Sequence, residues 1–371
     1  MDFSIGIGPN VRKSPYFDAT VRDGVRGFSV YNHMFLPTHY GDPEAEYDRL
    51  INGAAMWDVA AQRQVELTGP DAVRLAQYLT PRDLSGVKIG QGKYVPLCDH
   101  EGWLINDPVL LKLEEDRYWL SVADSDIHLW AAAISATKGW DVQVKEPDVA
   151  PLAIQGPLAQ NVAEALFGDL ARRLKFFGFE ETELDGIPLL LARSGWSKQG
   201  GFELYLMDAA RGSELWDKVK AAGAPFGIGP GAPNDTERLE SGLISYGADM
   251  RWQDRRATPY EMGLGAMVDL DAGHDFIGRA ALERWATQPP ARRRTGLVLN
   301  GRPPLANQPV PVTCEGREAG FMSELAFSPR LGETIGVGLV HTEALDSGKP
   351  LAVEVEGVSY TAQAHDLPFI A

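Results

Sequence analysis

Residues 193–205 have the sequence Arg-Ser-Gly-Trp-Ser-Lys-Gln-Gly-Gly-Phe-Glu-Leu-Tyr, and this stretch decides how the centre of the chain folds. The apolar run Ile187–Ala192 precedes it, and Phe202, Leu204 and Leu206 follow with a period of two. The pattern predicts a strand, a glycine-rich turn and a second strand. The turn region carries an indole, a lysine, a carboxylate and a phenol. Flat aromatic rings beside one fixed carboxylate suit a planar, nitrogen-rich heterocycle or a soft cation better than a phosphate.

The length and composition of the chain limit its class. It has 371 residues, 44% of them hydrophobic and 23% charged, as expected for a folded protein of two or three domains. The formal net charge of −16 disfavours nonspecific binding to nucleic acids or anionic membranes, because phosphate contacts require clustered Lys and Arg. The short basic runs Arg255-Arg256 and Arg292-Arg293-Arg294 are therefore predicted to be solvated linker faces.

Cysteine usage and the N-terminal sequence indicate the compartment. Only Cys98 and Cys314 occur, far apart and without metal-ligand spacing, which favours two ordinary thiols in a reducing compartment. The seven histidines are scattered, so no metal site is predicted. Residues 1–12 lack a secretion signal, and no apolar run approaches the roughly 18 residues of a membrane span. We expect a cytoplasmic protein.

The order of predicted strands and helices divides the chain into blocks. Residues 47–149 mix strands and helices, which predicts an α+β domain. A second block begins at residue 150 and includes a helix predicted over 236–247. The Pro- and Arg-rich stretch 288–294 is predicted to be an exposed linker. Beyond it, residues 295–371 have short strands separated by Gly and Pro, which is typical of a small β domain.

Two short motifs suggest catalytic loops but lack essential residues. Residues 227–231 precede a helix and are rich in glycine, yet they lack the spacing of nucleotide-binding loops, so a tight turn suffices. Gly195-Trp196-Ser197 is like the start of a nucleophile elbow, but Gln199 stands where that motif requires glycine. No histidine is placed by the sequence to activate the serine. A hydrolase is therefore disfavoured.

Other acidic and aromatic positions are ambiguous from the residues alone. Asp107, within Asn106-Asp107-Pro108, interrupts an apolar strand and is either a turn acid or a buried acid with a chemical task. The run Phe176-Phe177-Gly178-Phe179 is either core or a ligand platform. Tyr31 and Tyr94, each taken alone, are packing residues.

Taken in order along the chain, these pieces resemble the folate-binding aminomethyltransferase family, typified by the glycine-cleavage T protein. The pieces that carry the resemblance are Ser14-Pro15-Tyr16, Met56-Trp57-Asp58-Val59, Ile154-Gln155-Gly156-Pro157, Arg193-Ser194-Gly195-Trp196, Gly201-Phe202-Glu203, Thr236-Glu237-Arg238-Leu239-Glu240-Ser241-Gly242-Leu243, Tyr246-Gly247, Pro259-Tyr260-Glu261-Met262-Gly263-Leu264-Gly265, Phe276-Ile277-Gly278-Arg279 and Phe327-Ser328-Pro329. Within the family, the chain is similar to the dimethylsulfoniopropionate demethylases. That similarity rests on Val30-Tyr31-Asn32-His33-Met34, Ile105-Asn106-Asp107-Pro108, Phe176-Phe177-Gly178-Phe179 and Ser194-Gly195-Trp196-Ser197-Lys198-Gln199-Gly200-Gly201, among others.

The resemblance implies an α+β fold of three domains, arranged like a cloverleaf around a central folate channel, with a small C-terminal β-barrel. The first domain would be discontinuous and combine residues 1–46 and 150–287. The second would be 47–149 and the third 295–371. The resemblance also implies transfer of a methyl group from a small sulfonium donor to N5 of tetrahydrofolate, with no lipoyl carrier protein and no metal.

The resemblance further implies roles for individual residues. Asp107 would be the catalytic residue beside the reacting end of the folate. The residues that would bind the folate are Tyr94, Phe176, Phe177, Trp196, Glu203 and Arg238, with Glu203 accepting hydrogen bonds from the pterin ring. The residues that would bind the donor are Tyr31, Trp196, Lys198 and Tyr205. Lys198 fits a donor carboxylate, and a lysine that only faces solvent is the alternative.

Departures from the T-protein pattern leave other functions open. The T protein usually has two adjacent acids where this chain has Asn106-Asp107, and an acidic turn where this chain has Lys198-Gln199. Residues 258–264 look partly T-protein-like, while Ala266 replaces a frequent tryptophan. The alternatives are an aminomethyltransferase that uses a lipoyl carrier, a demethylase of betaine or methoxyaryl donors, and a non-enzymatic folate-binding protein.

Overall fold

The structure is a computed structural model that describes residues 8–306 and 308–371. The start of the predicted first domain, residues 1–7, lies outside the described residues. The strands are β1 (Gly27–Tyr31), β2 (Met34–His39), β3 (Ala55–Asp58), β4 (Gln64–Thr68), β5 (Gln91–Tyr94), β6 (Leu97–Cys98), β7 (Leu104–Asn106), β8 (Val109–Glu114), β9 (Arg117–Ser121), β10 (Gln143–Lys145), β11 (Ala150–Gln155), β12 (Phe179–Leu184), β13 (Ile187–Ala192), β14 (Gly201–Leu206), β15 (Gly229–Gly231), β16 (Arg292–Leu299), β17 (Val310–Cys314), β18 (Arg317–Ser328), β19 (Glu333–His341), β20 (Leu351–Val355) and β21 (Val358–His365).

The helices are α1 (Phe17–Arg22), α2 (Pro43–Asn52), α3 (Ala72–Leu79), α4 (Ile127–Lys138), α5 (Ala159–Phe167), α6 (Asp169–Arg173), α7 (Gly212–Gly223), α8 (Asp235–Glu240), α9 (Arg279–Trp285) and α10 (Thr342–Asp346). None of the helices in the described part of the chain is long and apolar enough to cross a membrane.

A six-stranded sheet contains the predicted strand–turn–strand unit. Its strand order is β12-β13-β14-β11-β3-β15, and its neighbours are antiparallel except β3 and β15. In this sheet β13 and β14 pair with Ala192 opposite Glu203. β3 pairs with β11, Trp57 lying opposite Ala153, although the sequence prediction put this segment in the second domain. We therefore propose that the second domain begins beyond Asp58.

A five-stranded sheet of order β10-β4-β9-β8-β5 packs against this first sheet. Because strand side chains alternate between two faces, β8 and β9 serve two cores at once. Leu110 and Leu120 pack beneath α3, whereas Leu111 and Trp119 pack against Tyr205 of the six-stranded sheet. The candidate site lies at the edge of this interface, where β7 meets β8.

Six strands from residue 292 onward close into a barrel of order β16-β19-β18-β17-β20-β21. The α+β fold with a small C-terminal β-barrel is thereby confirmed. The prediction that Arg292-Arg293-Arg294 forms a solvated linker face is wrong, because β16 begins at Arg292. Arg294 is buried and donates to the carbonyls of Gly242 and Leu243 at 3.0 and 2.9 Å. A buried arginine at a domain junction satisfies backbone acceptors that would otherwise be unpaired.

Helix α8 is much shorter than the predicted helix over 236–247. The side chain of Asn234 caps its start by accepting a hydrogen bond from the Glu237 amide at 2.9 Å. The helix ends at Glu240 because Gly242 adopts a left-handed conformation with φ of +62°, a stop that glycine makes without steric cost. The helical pattern beyond it therefore belongs to a loop.

Buried charges join α8 to the barrel and to the loop that follows it. Arg238 is fully buried and forms a bidentate pair with Asp249 at 3.0 and 3.1 Å, a hydrogen-bonded pair with Glu324 on β18, and a bond to the Leu243 carbonyl. Although burial favours the neutral acid, Arg238 and Arg294 hold the pKa of Asp249 below its usual value. The network is compensated throughout, as a buried charge must be.

Replacing Arg238 with methionine tests this network. In the Arg238→Met variant, Glu324 and Asp249 lose a buried partner, and we expect the free energy of unfolding to fall by about 3–5 kcal/mol. Urea denaturation followed by circular dichroism measures the change. Arg172→Met, which removes an exposed arginine paired with Glu164, is the matched control, and we expect it to change the free energy of unfolding far less than Arg238→Met does. Equal losses in the two variants would contradict a structural role for the buried network.

Candidate functional site

The glycine-rich turn between β13 and β14 is shaped by one buried amide, Gln155 at the end of β11. Its Nε2 donates to the Ser194 carbonyl at 3.3 Å, and its Oε1 accepts from the Ser197 hydroxyl at 2.7 Å. A Cβ at Gly195 or Gly201 would come within 1.9 or 2.2 Å of Gln155 Nε2, so neither position has room for a side chain. Gly195 also has φ of +149°. These glycines let the backbone wrap closely around the amide.

Two contacts hold the tip of the turn against the segment around α8. Trp196 is half-buried, and its Nε1 donates to the Ile244 carbonyl at 3.2 Å. The backbone amide of Lys198 and the Nε2 of Gln199 both donate to Glu237 Oε1, at 3.0 and 2.9 Å. The Lys198 side chain is exposed. Its role toward a donor carboxylate stays a prediction, while the indole of Trp196 has a defined position.

Glu203 on β14 is a buried carboxylate, and only one of its two oxygens accepts hydrogen bonds from the described residues. Its Oε2 accepts from the Ser194 hydroxyl and from the Tyr205 hydroxyl, the latter at 3.3 Å. Burial raises the pKa of Glu203, although these two donors favour the ionised form. Its Oε1 accepts no hydrogen bond from the described residues, and it is not sealed from solvent. This oxygen can accept from a ring N–H of a bound heterocycle.

Tyr205 does not lie where the donor-binding prediction needs it. Its side chain is 1% exposed and packs against Trp119 with ring centroids 6.2 Å apart. Glu203 and Tyr205 are two residues apart on one strand, so both point to the same face. Tyr205 therefore supports Glu203 from the core between the two sheets, and its ring is not available to a donor.

Asp107, in the link between β7 and β8, is the centre of a cluster of phenols. Tyr94 Oη donates to Asp107 Oδ2 at 2.7 Å. Burial raises the pKa of Asp107 to about 7, the Tyr94 hydrogen bond opposes this shift, and the charge of Asp249 adds to it. Burial and the negative charge of Asp107 raise the pKa of Tyr31 and of Tyr246. The structure thus brings Tyr31, Tyr94 and Asp107 together.

Asn106, the neighbour of Asp107 in the chain, anchors β7 to the loop that contains Ala123 and Ser125. It is fully buried, its Nδ2 donates to the Ala123 carbonyl at 3.1 Å and to the Ser125 hydroxyl at 2.6 Å, and its Oδ1 accepts from the Ala123 amide. The same loop is held from the other side by Asn32, which accepts from the Ser125 amide at 3.0 Å. A carboxylate at position 106 could not donate to these acceptors. Asn106 is therefore a positioning residue, and Asp107 is the acid of the pair that is left free.

The phenylalanine pair lies on the edge of the five-stranded sheet. The Phe177 carbonyl accepts from the Gly92 amide at 2.6 Å, which docks the loop on β5 beside Tyr94. The Phe176 ring lies 4.3 Å from the Phe177 ring, centroid to centroid, and Phe176 is 71% exposed. An exposed aromatic pair of this kind offers a ring surface to a ligand. Its contact with folate stays a prediction.

Arg238 uses its hydrogen-bond donors within the protein. Arginine has five N–H donors, and all five are used by Asp249, Glu324 and the Leu243 carbonyl. No N–H donor of Arg238 is left to hydrogen-bond a ligand, and its predicted place in the folate-binding frame stays a prediction. The sequence could not show that the whole guanidinium is buried.

Tyr246 is a site residue that the sequence reasoning did not single out. It lies in the motif Tyr246-Gly247, which contributed to the family resemblance without being given a role. Its phenol accepts from the Trp252 amide at 3.3 Å, and it packs in the same apolar cluster as Tyr94 and Ile244. The tyrosine in that motif was the only signal that could have identified it.

The arrangement fits a planar, nitrogen-rich ligand. Glu203 Oε1 and Asp107 Oδ1 have no hydrogen-bond partner among the described residues, so each can accept from a ligand N–H. Tyr94, which donates to Asp107, and Trp196, which donates to the Ile244 carbonyl, are both half-buried. Aromatic rings with two acceptor oxygens are the groups that a pterin requires. No group of three or more potential metal ligands is present in the part of the chain that the structure describes.

Known proteins resemble the chain along its whole length. The sequence matches the family profile described as the GCVT N-terminal domain over residues 16–272, and that of the glycine cleavage T-protein C-terminal barrel domain over residues 292–370. It is 42% identical over 344 residues to the dimethylsulfoniopropionate demethylase DmdA of Ruegeria pomeroyi, covering 93% of each chain. It is 32% identical over 345 residues to an aminomethyltransferase of a Nostoc species, covering 90% of this chain and 89% of that one.

A solved structure shares the fold. The glycine cleavage system aminomethyltransferase T of Bartonella henselae matches with a TM-score of 0.84 and 24% sequence identity, over 97% of this chain and 98% of that one. At this identity the match shows the three-dimensional architecture alone.

The raised pKa of Asp107 predicts how stability depends on pH. The folded state binds the Asp107 proton more tightly than the unfolded chain does, so wild-type stability falls as pH rises from about 4 to about 7. The amide side chain introduced by Asp107→Asn does not titrate. We expect the stability of this variant relative to wild type to increase by about 1–3 kcal/mol between about pH 5 and about pH 8.

Urea denaturation at the two pH values measures this change, and Asp23→Asn is its control. Burial favours the neutral form of Asp23, yet hydrogen bonds from Lys220 and Trp216 hold its pKa below the usual value. The contribution of Asp23 is therefore constant over this pH window. A relative stability of Asp107→Asn that does not change with pH would show that Asp107 is an ordinary solvated acid.

Proposed function

This chain belongs to the glycine cleavage T-protein family, and from that premise we propose that it is a tetrahydrofolate-dependent demethylase. As a member of this family it is an enzyme of the transferase class. The proposed reaction moves a methyl group from a small sulfonium donor, with dimethylsulfoniopropionate as the preferred candidate, to N5 of tetrahydrofolate. The products are 5-methyltetrahydrofolate and a thioether acid. The higher identity to the sulfonium demethylase than to the Nostoc aminomethyltransferase supports this choice.

The observation that carries the proposal is the single free acid at Asp107. Asn106 is committed to hydrogen bonds with the loop at Ala123 and Ser125, so Asp107 is the acid of this pair, and it contacts the Tyr94 phenol. Asp124, whose charge also acts on Tyr31, accepts a hydrogen bond from the Asn32 amide at 2.7 Å. A sulfonium donor already carries an activated leaving group and needs no acid to expel it. One carboxylate near neutral pKa is sufficient for such a reaction, because it has only to receive a proton.

The bond changes balance without a further reactant. The carbon–sulfur bond of the donor breaks with its electron pair remaining on sulfur, and a carbon–nitrogen bond forms at the folate amine. The amine then releases its proton, and Asp107 Oδ1, which has no partner in the described part of the chain, would accept it. Tyr94 keeps the other carboxylate oxygen in position through its 2.7 Å hydrogen bond.

The aromatic groups would stabilise the spreading positive charge. Contacts between a cation and an aromatic face contribute about 0.5–2 kcal/mol each. Tyr31, whose pKa is raised by burial and by the charge of Asp107, and Trp196 on the glycine-rich turn are the two candidates, while the burial of Tyr205 argues against its ring. Alignment of amine, methyl and sulfur would supply most of the rate increase, potentially several kcal/mol.

An aminomethyltransferase is the second candidate, because several relatives carry that name and the fold is shared. Such an enzyme would release ammonia from an aminomethyl group on a lipoyl carrier protein. The uncharged Asn106 argues against this function. A demethylase of betaine or methoxyaryl donors differs only in the donor, and a methoxyaryl ether would additionally need a proton donor for its leaving oxygen.

A donor panel tests the proposed reaction. The purified protein is incubated with tetrahydrofolate and, separately, dimethylsulfoniopropionate, glycine betaine, a methoxybenzoate or an aminomethylated lipoyl carrier. We expect 5-methyltetrahydrofolate, detected by mass spectrometry, only with the sulfonium donor. Methylenetetrahydrofolate from the lipoyl carrier would establish the aminomethyltransferase instead. Folate binding without a product from any donor would indicate a binding protein.

Asp107→Asn tests the assigned proton acceptor. We expect kcat to fall by about 10²–10⁴-fold, with the Kd for tetrahydrofolate changing less than about tenfold, because the substitution keeps the shape of the side chain. In the wild type, kcat is expected to rise as pH passes through about 7, since the carboxylate form is required. Asp116→Asn, at an exposed turn, is the control for loss of an acid. Undiminished turnover in Asp107→Asn would remove Asp107 from the mechanism.

A further inference from the structure

A cavity of about 560 Å³ lies on the face of the five-stranded sheet that packs beneath α3. We call this the outer face, because the opposite face packs against the six-stranded sheet. Its walls come from α3, from β8 and β9, from the end of α4 and from the loops around residues 84 and 274. Lys112 and Tyr118 line it, whereas their strand neighbours Leu111 and Trp119 face the opposite side. The sheet itself therefore separates this cavity from Glu203 and Asp107.

Three cationic side chains, Arg74, Lys112 and Lys138, and one carboxylate, Asp275, line the cavity in a chain of formal net charge −16. Lys112 pairs with Glu115 at 2.7 Å. Arg74 and Lys138 have no carboxylate within 4.0 Å among residues 8–306 and 308–371, and both are exposed. The guanidinium carbon of Arg74 lies 4.6 Å from the centroid of Trp140, and Lys138 Nζ lies 4.3 Å from that of Tyr78. The aromatic contacts hold these two cations at one opening.

The inner wall contains a buried polar atom that the protein leaves without a partner. His274 lines the cavity, and its Nε2 is inaccessible to solvent and makes no hydrogen bond within the described part of the chain. Leaving such an atom unsatisfied costs about 1–3 kcal/mol. The nearby side chain of Gln77 cannot help, because its amide is occupied by Arg82, Thr80 and Leu84. Because Nε2 is closed to solvent, a ligand atom in the cavity reaches it only after the His274 ring rotates toward the cavity, and it then supplies the missing bond.

We propose that this cavity binds a small organic anion with a planar aromatic body. The phosphate or carboxylate of the ligand lies between Arg74 and Lys138, the flat body packs on the floor formed by Leu84 and Tyr118, and a polar atom of the ligand bonds to His274 Nε2. The volume is within the range of about 300–1,000 Å³ that is usual for small-molecule sites. This assignment does not rest on the proposed demethylation.

Isothermal titration calorimetry with AMP tests the proposal, with adenosine and inorganic phosphate as the separate halves of the probe. We expect AMP to bind with a Kd of about 1 mM or tighter, and each half to bind at least about tenfold more weakly. Indole-3-acetate replaces the phosphate by a carboxylate and distinguishes the two kinds of anion. Absence of binding by both AMP and indole-3-acetate would overturn the proposal.

Variants of the two exposed cations locate the site. Arg74→Gln combined with Lys138→Gln is expected to weaken binding of the better probe by at least about tenfold, since each charge-assisted contact is lost. His274→Leu keeps the bulk of the wall and is expected to weaken it by about threefold or more. Lys13→Gln removes a lysine that lies 4.4 Å from the Phe17 ring outside the cavity, and it is the matched control with unchanged affinity. Equal affinity in the double variant and in Lys13→Gln would show that the probe binds elsewhere.

Discussion

The buried pairing of Arg238 with Asp249 and Glu324 is the interaction on which the rest of the structure depends. It fixes a helix of six residues, α8, against the barrel strand β18 and against the loop at Asp249. Arg238 and Asp249 are fully buried and Glu324 is partly buried, so removing one partner leaves a buried charge uncompensated. The pairing therefore restrains the position of the barrel relative to the two sheets.

Helix α8 contacts two further parts of the fold through the side chains of Glu240 and Glu237. Glu240 accepts from the Tyr47 hydroxyl at 2.7 Å, from Ser328 of the barrel and from Arg330. Glu237 accepts from the tip of the glycine-rich turn, through the backbone amide of Lys198. The turn that carries Trp196 is thus positioned by the same helix that anchors the barrel. Disturbing the ion pairs would move the candidate site without touching it.

The electrostatics of the candidate site depend on the uncharged Asn106 beside the acid Asp107. The Asn106 side chain donates to the Ala123 carbonyl and accepts from the Ala123 amide. An ionised aspartate could accept but could not donate. Asp107 is left half-buried among phenols, where burial raises its pKa to about 7. A group that gains and loses a proton near neutral pH can accept one from a reacting amine, whereas a solvated aspartate is a poor base at that pH. The pair Asn106-Asp107 therefore contributes one titrating acid to the candidate site.

The sequence by itself indicated the central strand pair, a small C-terminal β domain and a family resemblance. The apolar run Ile187–Ala192 and the alternation at Phe202, Leu204 and Leu206 specified β13 and β14, and ordered motifs along the chain carried the resemblance. The roles predicted for Asp107 and Tyr94 came from the family resemblance, and the two side chains are in direct contact. The alternation along the strands is a local feature, so periodicity alone reveals it.

Only the tertiary structure decided what each polar side chain contacts. Arginine is usually a solvent-facing or ligand-binding residue. Arg238 and Arg294 instead donate hydrogen bonds to buried acids and carbonyls from distant segments of the chain. Tyr205 occupies the predicted strand, but the packing of the two sheets turns its ring into the core. The cavity near His274 is formed by segments that lie far apart along the chain, and no local pattern reports it. Hydrogen-bond partners and cavities depend on how sheets pack face to face, and a one-dimensional period does not contain that information.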